Sequence, residues 1–294
     1  MTQSFNASGS GKEEPLGATP QNAVDCRTDV DMDGDIDGSV DGNTDSVRSM
    51  LESIQPLVRY VDQERAVIEV RFRTRQPVVC NERVELQADA VLTITHRSGF
   101  EDEITVPVST QSGCAKTKFE LVWPERWWPA SMGEQSLYEL TVRLQIEGVE
   151  LECQHVSLGL TSVRANRDDD LNEPLLVNSL PCSVRSILHI DRVDQASLLP
   201  AGSDALLVVR DHYAPDLFFD ATDRAGILTL QCVPVAEDAR PGHWVKEQVE
   251  RLACHPSLMG YYVGHQGQMA DGLARAIRVA DPTRPVYRSI PISA

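Results

Sequence analysis

The chain lacks several features that would each have pointed to a class of protein. No apolar run approaches the roughly 20 residues of a membrane-spanning helix. The first residues, MTQSFNASGSGKEE, have neither the basic start nor the apolar stretch of a signal peptide. From these two absences we expect a cytoplasmic protein with no membrane partner. Positive charge is scarce: 27 Lys and Arg stand against 44 Asp and Glu, a formal charge of -17. Nucleic acid is therefore not an expected partner, because phosphate binding rests on clustered cations that release counterions. The seven cysteines, Cys26, Cys80, Cys114, Cys153, Cys182, Cys232 and Cys254, are odd in number, widely spaced and free of any CxxC. Neither a disulfide framework nor a zinc site is signalled, and most are expected to be small core residues. No HExxH, GxSxG or phosphate-binding loop occurs, so nothing indicates a protease or nucleotide enzyme, and no cofactor is expected.

What is present is unevenly distributed. Residues 1–45 carry ten acids against Lys12 and Arg27, a balance of -8, which leaves -9 for the other 249 residues. Such a segment, rich in Gly, Ser, Asn and Asp, repels itself and cannot offset its ordering entropy, so residues 1–46 are expected to be a disordered and dispensable acidic tail. One sharper reading exists for it. Asp29, Asp31, Asp33, Gly34, Ile36 and Asp37 occupy positions 1, 3, 5, 6, 8 and 9 of a calcium-binding loop, but position 12 is Val40 where a bidentate acid belongs. A solvated acidic tail is the preferred reading, with calcium at Asp29, Asp31, Asp33 and Asp37 as its alternative.

Order is expected from about Val47. From Glu64 the apolar period is two: Ala66, Ile68, Val70 and Phe72 share one face, and Val84, Leu86, Ala88, Ala90, Leu92 and Ile94 share another. Similar runs follow at Ile104/Val106/Val108, Phe119/Leu121/Trp123, Leu140/Val142/Leu144/Ile146 and Val149/Leu151/Cys153, divided by turns such as Arg97-Ser98-Gly99. This spacing predicts an immunoglobulin-like β-sandwich over 47–165. After the polar linker at 166–170 the pattern alternates strand and helix through 171–294. The expected strands are 184–190, 204–210, 226–232, 258–263 and 285–290. The expected helices are 215–225, 243–253 and one carrying Met269, Leu273 and Ile277. Repeated βα units mean a mainly parallel sheet, open or curled into a barrel, with about five of the eight strands that a complete (β/α)8 barrel needs.

Several segments then carry a resemblance. Trp127-Trp128-Pro129, Gly133-Glu134-Gln135-Ser136-Leu137-Tyr138 and Ser157-Leu158-Gly159-Leu160-Thr161-Ser162-Val163 resemble the end of the sandwich in family 2 glycoside hydrolases, the β-galactosidase, β-mannosidase and β-glucuronidase group. Leu176 to Pro181, Arg210 to Pro215, Phe218-Phe219-Asp220 with Asp223 to Ile227, His255 to Leu258 and Asp281 to Val286 are similar to successive landmarks of that family's barrel. The resemblance implies a sandwich followed by a truncated (β/α) barrel-like domain, and a carbohydrate ligand.

It also implies that the family's chemistry is missing. Retaining glycosidases need one carboxylic acid to protonate the leaving oxygen and a second carboxylate, about 5–5.5 Å away, as nucleophile. Counting from His255, the family's Asn-Glu pair falls on His265 and Gln266. Glutamine hydrogen-bonds a hydroxyl but has no proton to transfer. The family's nucleophile belongs to a strand later than any in these 294 residues, and a position usually acidic in the family reads Cys232. The expected reading is a degenerate relative that retains carbohydrate binding through His189, Arg210, His212 and Gln266, near the carboxyl ends of the parallel strands. The alternatives are a hydrolase completed by another polypeptide and a protein-interaction module. An unclosed sheet leaves strand edges open, so self-association or a covering partner is expected.

Overall fold

The computed structural model describes residues 49–75, 88–164, 175–190, 205–234, 241–264 and 267–289. The acidic tail, with its calcium candidates Asp29, Asp31, Asp33 and Asp37, lies outside them. All the described residues fall in one compact unit spanning Asp45–Ala294.

Seven strands build a sandwich: β1 (Leu51–Val61), β2 (Arg65–Thr74), β3 (Ala88–His96), β4 (Glu101–Pro107), β5 (Cys114–Val122), β6 (Leu137–Ile146) and β7 (Val149–Gly159). They form a three-stranded sheet ordered β1-β2-β5 and a four-stranded sheet ordered β4-β3-β6-β7. Every pairing within them is antiparallel. The alternation read from the sequence explains the core: Ala66, Ile68, Val70 and Phe72 of one sheet meet Ala90, Leu92, Ile94, Leu140, Val142 and Leu144 of the other. Removing this apolar area from water is the main force holding the sheets together.

Periodicity does not predict the first strand, and two sandwich expectations need correction. The strand Leu51–Val61 gives no clean alternation, because its pairing with β2 is interrupted by register shifts at Leu51/Ser53 and Val58/Tyr60. Trp123 does not continue the face of Phe119 and Leu121; it lies just beyond β5 with φ 53 and is 65% exposed. Val149 and Leu151 do not enter the core either, since they open the edge strand β7, where one side faces water.

A small antiparallel sheet follows, made of β8 (Val163–Arg164), β9 (Leu175–Val177) and β10 (Leu180–Cys182). Its hairpin turns through Asn178 and Ser179, both at positive φ (49 and 71), as a two-residue turn between right-twisted strands requires. The Leu176–Pro181 landmark is thus a hairpin of its own.

The remaining described residues form a parallel five-stranded sheet in sequence order: β11 (Ser186–Ile190), β12 (Ala205–Val209), β13 (Leu228–Cys232), β14 (Leu258–Tyr262) and β15 (Val286–Tyr287). Three helices cross between its strands: α1 (Asp216–Ala225), α2 (Pro241–Leu252) and α3 (Gln268–Ala280). They pack on one face, where Phe218, Phe219, Val245, Val249, Leu273 and Ile277 cover Leu207, Val209, Tyr261 and Val286. The opposite face, Leu206, Val208, Leu228, Leu230, Met259 and Tyr287, is buried with Trp127 and the small sheet's Val163, Leu175 and Val177. Met269, expected in the apolar stripe of α3, is exposed; Ala270, Leu273, Ala274 and Ile277 form that stripe instead. Of the five described cysteines only Cys182 and Cys254 are buried. Among the described residues no helix is long and apolar enough to cross a membrane.

Candidate functional site

In a parallel sheet, sites form at the carboxyl ends of the strands, where connections open and helix amino termini gather. Here that end holds most of the expected binding residues. His189, on β11, is exposed and shares its face with Ile187, the face turned away from the helices. Arg210 and Asp211 follow β12 directly, and Asp211 is at φ 61, a left-handed backbone that a non-glycine residue adopts only at a cost.

What holds this turn is Gln231, a fully buried residue of β13. Its amide nitrogen donates to the carbonyl of His212 at 2.7 Å, and its oxygen accepts the backbone N–H of Ala214 at 3.2 Å. His212 itself is spent locally, since its Nδ1 lies 2.7 Å from the carbonyl oxygen of Arg210. It braces the turn; that contact does not turn it toward a ligand.

Cys232 ends β13 at the same mouth. Burial pushes its thiol up to about 12, with Asp211 adding to the shift and Arg210 opposing it. It therefore stays a neutral thiol near neutral pH and is no nucleophile. Tyr262, at the end of β14, stands beside it: burial raises its pKa and the Cys232 sulfur adds to this. The structure thus gathers Arg210, Asp211, Cys232 and Tyr262, with His189 on the same face as Cys232 and Tyr262. Asp211, Gln231 and Tyr262 escaped the sequence reading; a polar residue inside the apolar strand Leu228–Cys232 was the one available signal for Gln231. His265 and Gln266 lie outside the described residues. Among described residues that directly follow a strand of this sheet, Asp211 is the only carboxylate.

The segments that carried the resemblance converge elsewhere, on the junction between sandwich and parallel sheet. The Trp127 indole donates to the carbonyl of Asp223 at 2.8 Å, and the Ala130 N–H to that of Gly226. Gly226 caps α1 in the left-handed conformation at φ 69. A side chain there would meet the Ala130 nitrogen at 2.6 Å. Gly159 donates to the Cys254 carbonyl, and a Cβ on it would meet Pro256 at 2.2 Å, so only glycine lets the two layers approach. Asn178 accepts the Ser162 N–H through its oxygen and donates to the Trp127 carbonyl.

His255 is the charged centre of this junction. Its Nδ1 lies 2.7 Å from Asp223, its Nε2 lies 3.8 Å from Asp216, and its ring stacks on Phe219. Burial works against its charged form, but the Cys254 sulfur and the Asp216 and Asp223 carboxylates outweigh that and carry its pKa well above the ordinary value. Asp220 stands 4.0 Å away, and Arg284 donates to the His255 carbonyl. Asp220, Asp223 and His255 lie close enough to hold a metal ion. Asp223, however, is already committed on both oxygens, to His255 and to the Ser257 N–H, which marks the group as structural. The consequence is a pH dependence. A group whose folded pKa is raised contributes stability that is complete below its unfolded pKa and is lost as pH rises through the folded value. Melting temperature should therefore fall on the alkaline side above about pH 6.5, and His255→Gln should flatten that fall; a parallel decline in both proteins would reject the assignment.

The sequence profile of Glycosyl hydrolases family 2 matches residues 54–160, the sandwich. An exo-β-D-glucosaminidase from Amycolatopsis orientalis is 26% identical over 236 residues, 68% of this chain and 23% of that protein. One from Streptomyces avermitilis is 27% identical over 211 residues, 59% of this chain and 23% of that protein. The chain thus spans less than a quarter of the length of these curated relatives. Among solved structures, the exo-chitosanase CsxA from Amycolatopsis orientalis superposes with a TM-score of 0.57 at 21% identity, covering 83% of this chain and 32% of that one. A β-glucuronidase from Parabacteroides merdae gives 0.61 at 12% identity, covering 82% of this chain and 34% of that one.

Proposed function

We propose that this chain, which carries a glycoside hydrolase family 2 domain and is distantly related over part of its length to enzymes of that family, binds carbohydrate without turning over glycosides by the two-carboxylate route. In this reading the sandwich is immunoglobulin-like and the parallel sheet is the start of a (β/α)8 barrel, with the sugar at the carboxyl ends of its strands.

The observation that carries the reading is Gln266. It takes the place of the acid/base glutamate on the segment that leaves β14, and an amide has no proton to give a departing oxygen. Supplying further strands, on this or another polypeptide, does not change that. The polar groups that remain, His189, Arg210, Asp211 and Tyr262, are hydrogen-bonding partners suited to hydroxyls, and Cys232 is neutral and inert. The names of the curated relatives make a β-linked glucosamine the first sugar to test.

The test pairs calorimetric binding of free glucosamine, galactose, mannose and glucuronic acid with a screen of the corresponding aryl β-glycosides. Saturable binding of at least one sugar, weakened in Arg210→Ala, with no hydrolysis above buffer is the expected result. Hydrolysis that Gln266→Ala abolishes would sink the reading. The edges of the sheet add an expectation about assembly: among the described residues β11 pairs only with β12, and its Leu188 is exposed, the pattern of an open sheet edge. Light scattering should find self-association at high concentration, and a monodisperse monomer would argue against an open edge.

A further inference from the structure

The sandwich has a cleft that the proposed sugar site does not use. It lies between the β1–β2 turn at Gln63 and the segment joining β5 to β6, has a volume of about 370 Å³, and is lined by Trp123, Glu125, Arg126, Trp128 and Glu134. The same segment packs through Trp127 and Ala130 on the last turn of α1 and the residue capping it, just before β13 begins. The cleft is therefore at the amino end of the parallel strands, opposite the mouth formed by His189, Arg210 and Cys232.

Two features of this cleft bear on what it can hold, beside an Arg126 guanidinium that also donates to the Asn178 carbonyl. Trp123 is 65% exposed, and its backbone is at φ 53, so a bulky aromatic residue is held in a left-handed conformation while its ring faces water. Its N–H donates to the Glu64 carbonyl, which fixes the backbone but does not require an indole. Strain of this kind persists only where the surrounding structure holds it, and it clusters at ligand-binding and active sites. The second feature is the arrangement of polar groups around the rings. The Arg126 guanidinium lies 5.0 Å over the Trp128 ring, and Glu134 is paired with Arg97 at 2.5 Å. Among the described residues Glu125 makes no ion pair; its backbone N–H donates to the Tyr138 hydroxyl, which fixes its position.

We propose that this cleft is a second carbohydrate site, taking a short oligosaccharide of pyranose rings. A pyranose has an apolar C–H face and a rim of hydroxyls. The exposed Trp123 ring offers a platform to the first, and Glu125, Arg126 and Gln63 offer acceptors and donors to the second, the combination of aromatic wall and few placed polar groups that marks a ligand site. The unpaired Glu125 carboxylate also favours a ring carrying a protonated amine. The site binds and performs no chemistry. Its existence does not depend on the barrel-mouth reading.

The experiment uses the whole chain and two probes, a β-1,4-linked pentasaccharide of glucose and its 2-amino counterpart, followed by tryptophan fluorescence and calorimetry. At least one is expected to bind saturably. Trp123→Gly should weaken that binding by about tenfold or more while leaving the melting temperature equal or higher, because glycine accepts φ 53 without strain. Binding should persist in Arg210→Ala and Gln266→Ala, which separates this site from the barrel mouth. Preference for the amino sugar that disappears in Glu125→Gln would identify carboxylate recognition, and equal binding of both probes would identify recognition of hydroxyls alone. The proposal is overturned if neither probe binds, if Trp123→Gly binds as tightly as the native chain, or if Gln266→Ala removes all binding.

Discussion

Arg284→Ala is expected to destabilise the chain by about 3–5 kcal/mol, the range for removing one partner of a buried ion pair. The Arg284 side chain is 1% exposed and that of Asp281 is fully buried, with Arg284 Nη1 2.9 Å from Asp281 Oδ2. The guanidinium also donates to the carbonyls of Leu258 at 2.6 Å, His255 at 2.6 Å and Ala253 at 3.2 Å. One side chain thus joins the end of α3 to the turn that enters β14. Alanine would take this donor from the carbonyls of Leu258 and Ala253 and the countercharge from Asp281 in a dry interior, although the His255 carbonyl keeps the Leu258 N–H and Asp281 keeps the Tyr261 hydroxyl and the Thr283 N–H and hydroxyl. Arg284→Lys keeps the charge but not the planar fork, so it should fall between the two. Urea denaturation would measure both variants. A loss within about 1 kcal/mol for the alanine variant, the range of an ordinary substitution, would show that the cluster is not the clamp its geometry suggests.

Gln266→Glu is expected to leave the chain without glycosidase activity. A restored acid contributes about 10²–10⁴ in rate through leaving-group protonation, but the glycosyl-enzyme also needs a carboxylate nucleophile. In the proposed reading the nucleophile lies on a strand later than those described. Among the described strand ends only Asp211 supplies a carboxylate, and it follows β12, held in the turn that Gln231 pins rather than on a later strand. Azide and formate stand in for a missing nucleophile, and they should fail on the native chain because Gln266 supplies no proton. Assays on aryl β-glycosides, with and without these anions, test both statements. Turnover in the Gln266→Glu variant alone would mean that a carboxylate here already serves as nucleophile.

The two results bear on different parts of the resemblance. The landmarks at Leu158–Leu160, Asp223–Ile227, His255–Leu258 and Asp281–Val286 meet at the junction around His255 and Arg284. Their retention is explained by packing and by buried charge, and it says nothing for turnover. In the proposed reading the reacting centre is under no such constraint, and Gln266 is where the chain departs from the resemblance.

Much of the fold was legible in the sequence because burial on one face of a strand imposes a period of two. Ile68, Leu92 and Leu140 could be assigned to the core before any coordinates, and the change to alternating strand and helix after residue 170 announced a parallel sheet. The five parallel strands and three helices lie within a few residues of their expected places. The strand Leu51–Val61 was not legible, since two register shifts break the alternation that periodicity detects. The small sheet β8-β9-β10 escaped for another reason: strands of two or three residues are shorter than one repeat of any pattern. The sequence by itself determined the order of the layers, the acidic balance and the presence of glutamine at position 266, because each is a property of residue type and spacing. Only the tertiary structure decided that His212 is tied to its own turn, that Gln231 holds that turn, and that Trp123 leaves the core face for solvent at a positive φ. Those outcomes depend on which backbone groups are brought within hydrogen-bonding reach across the fold, between residues as distant as Trp127 and Asp223, and no local pattern carries that information.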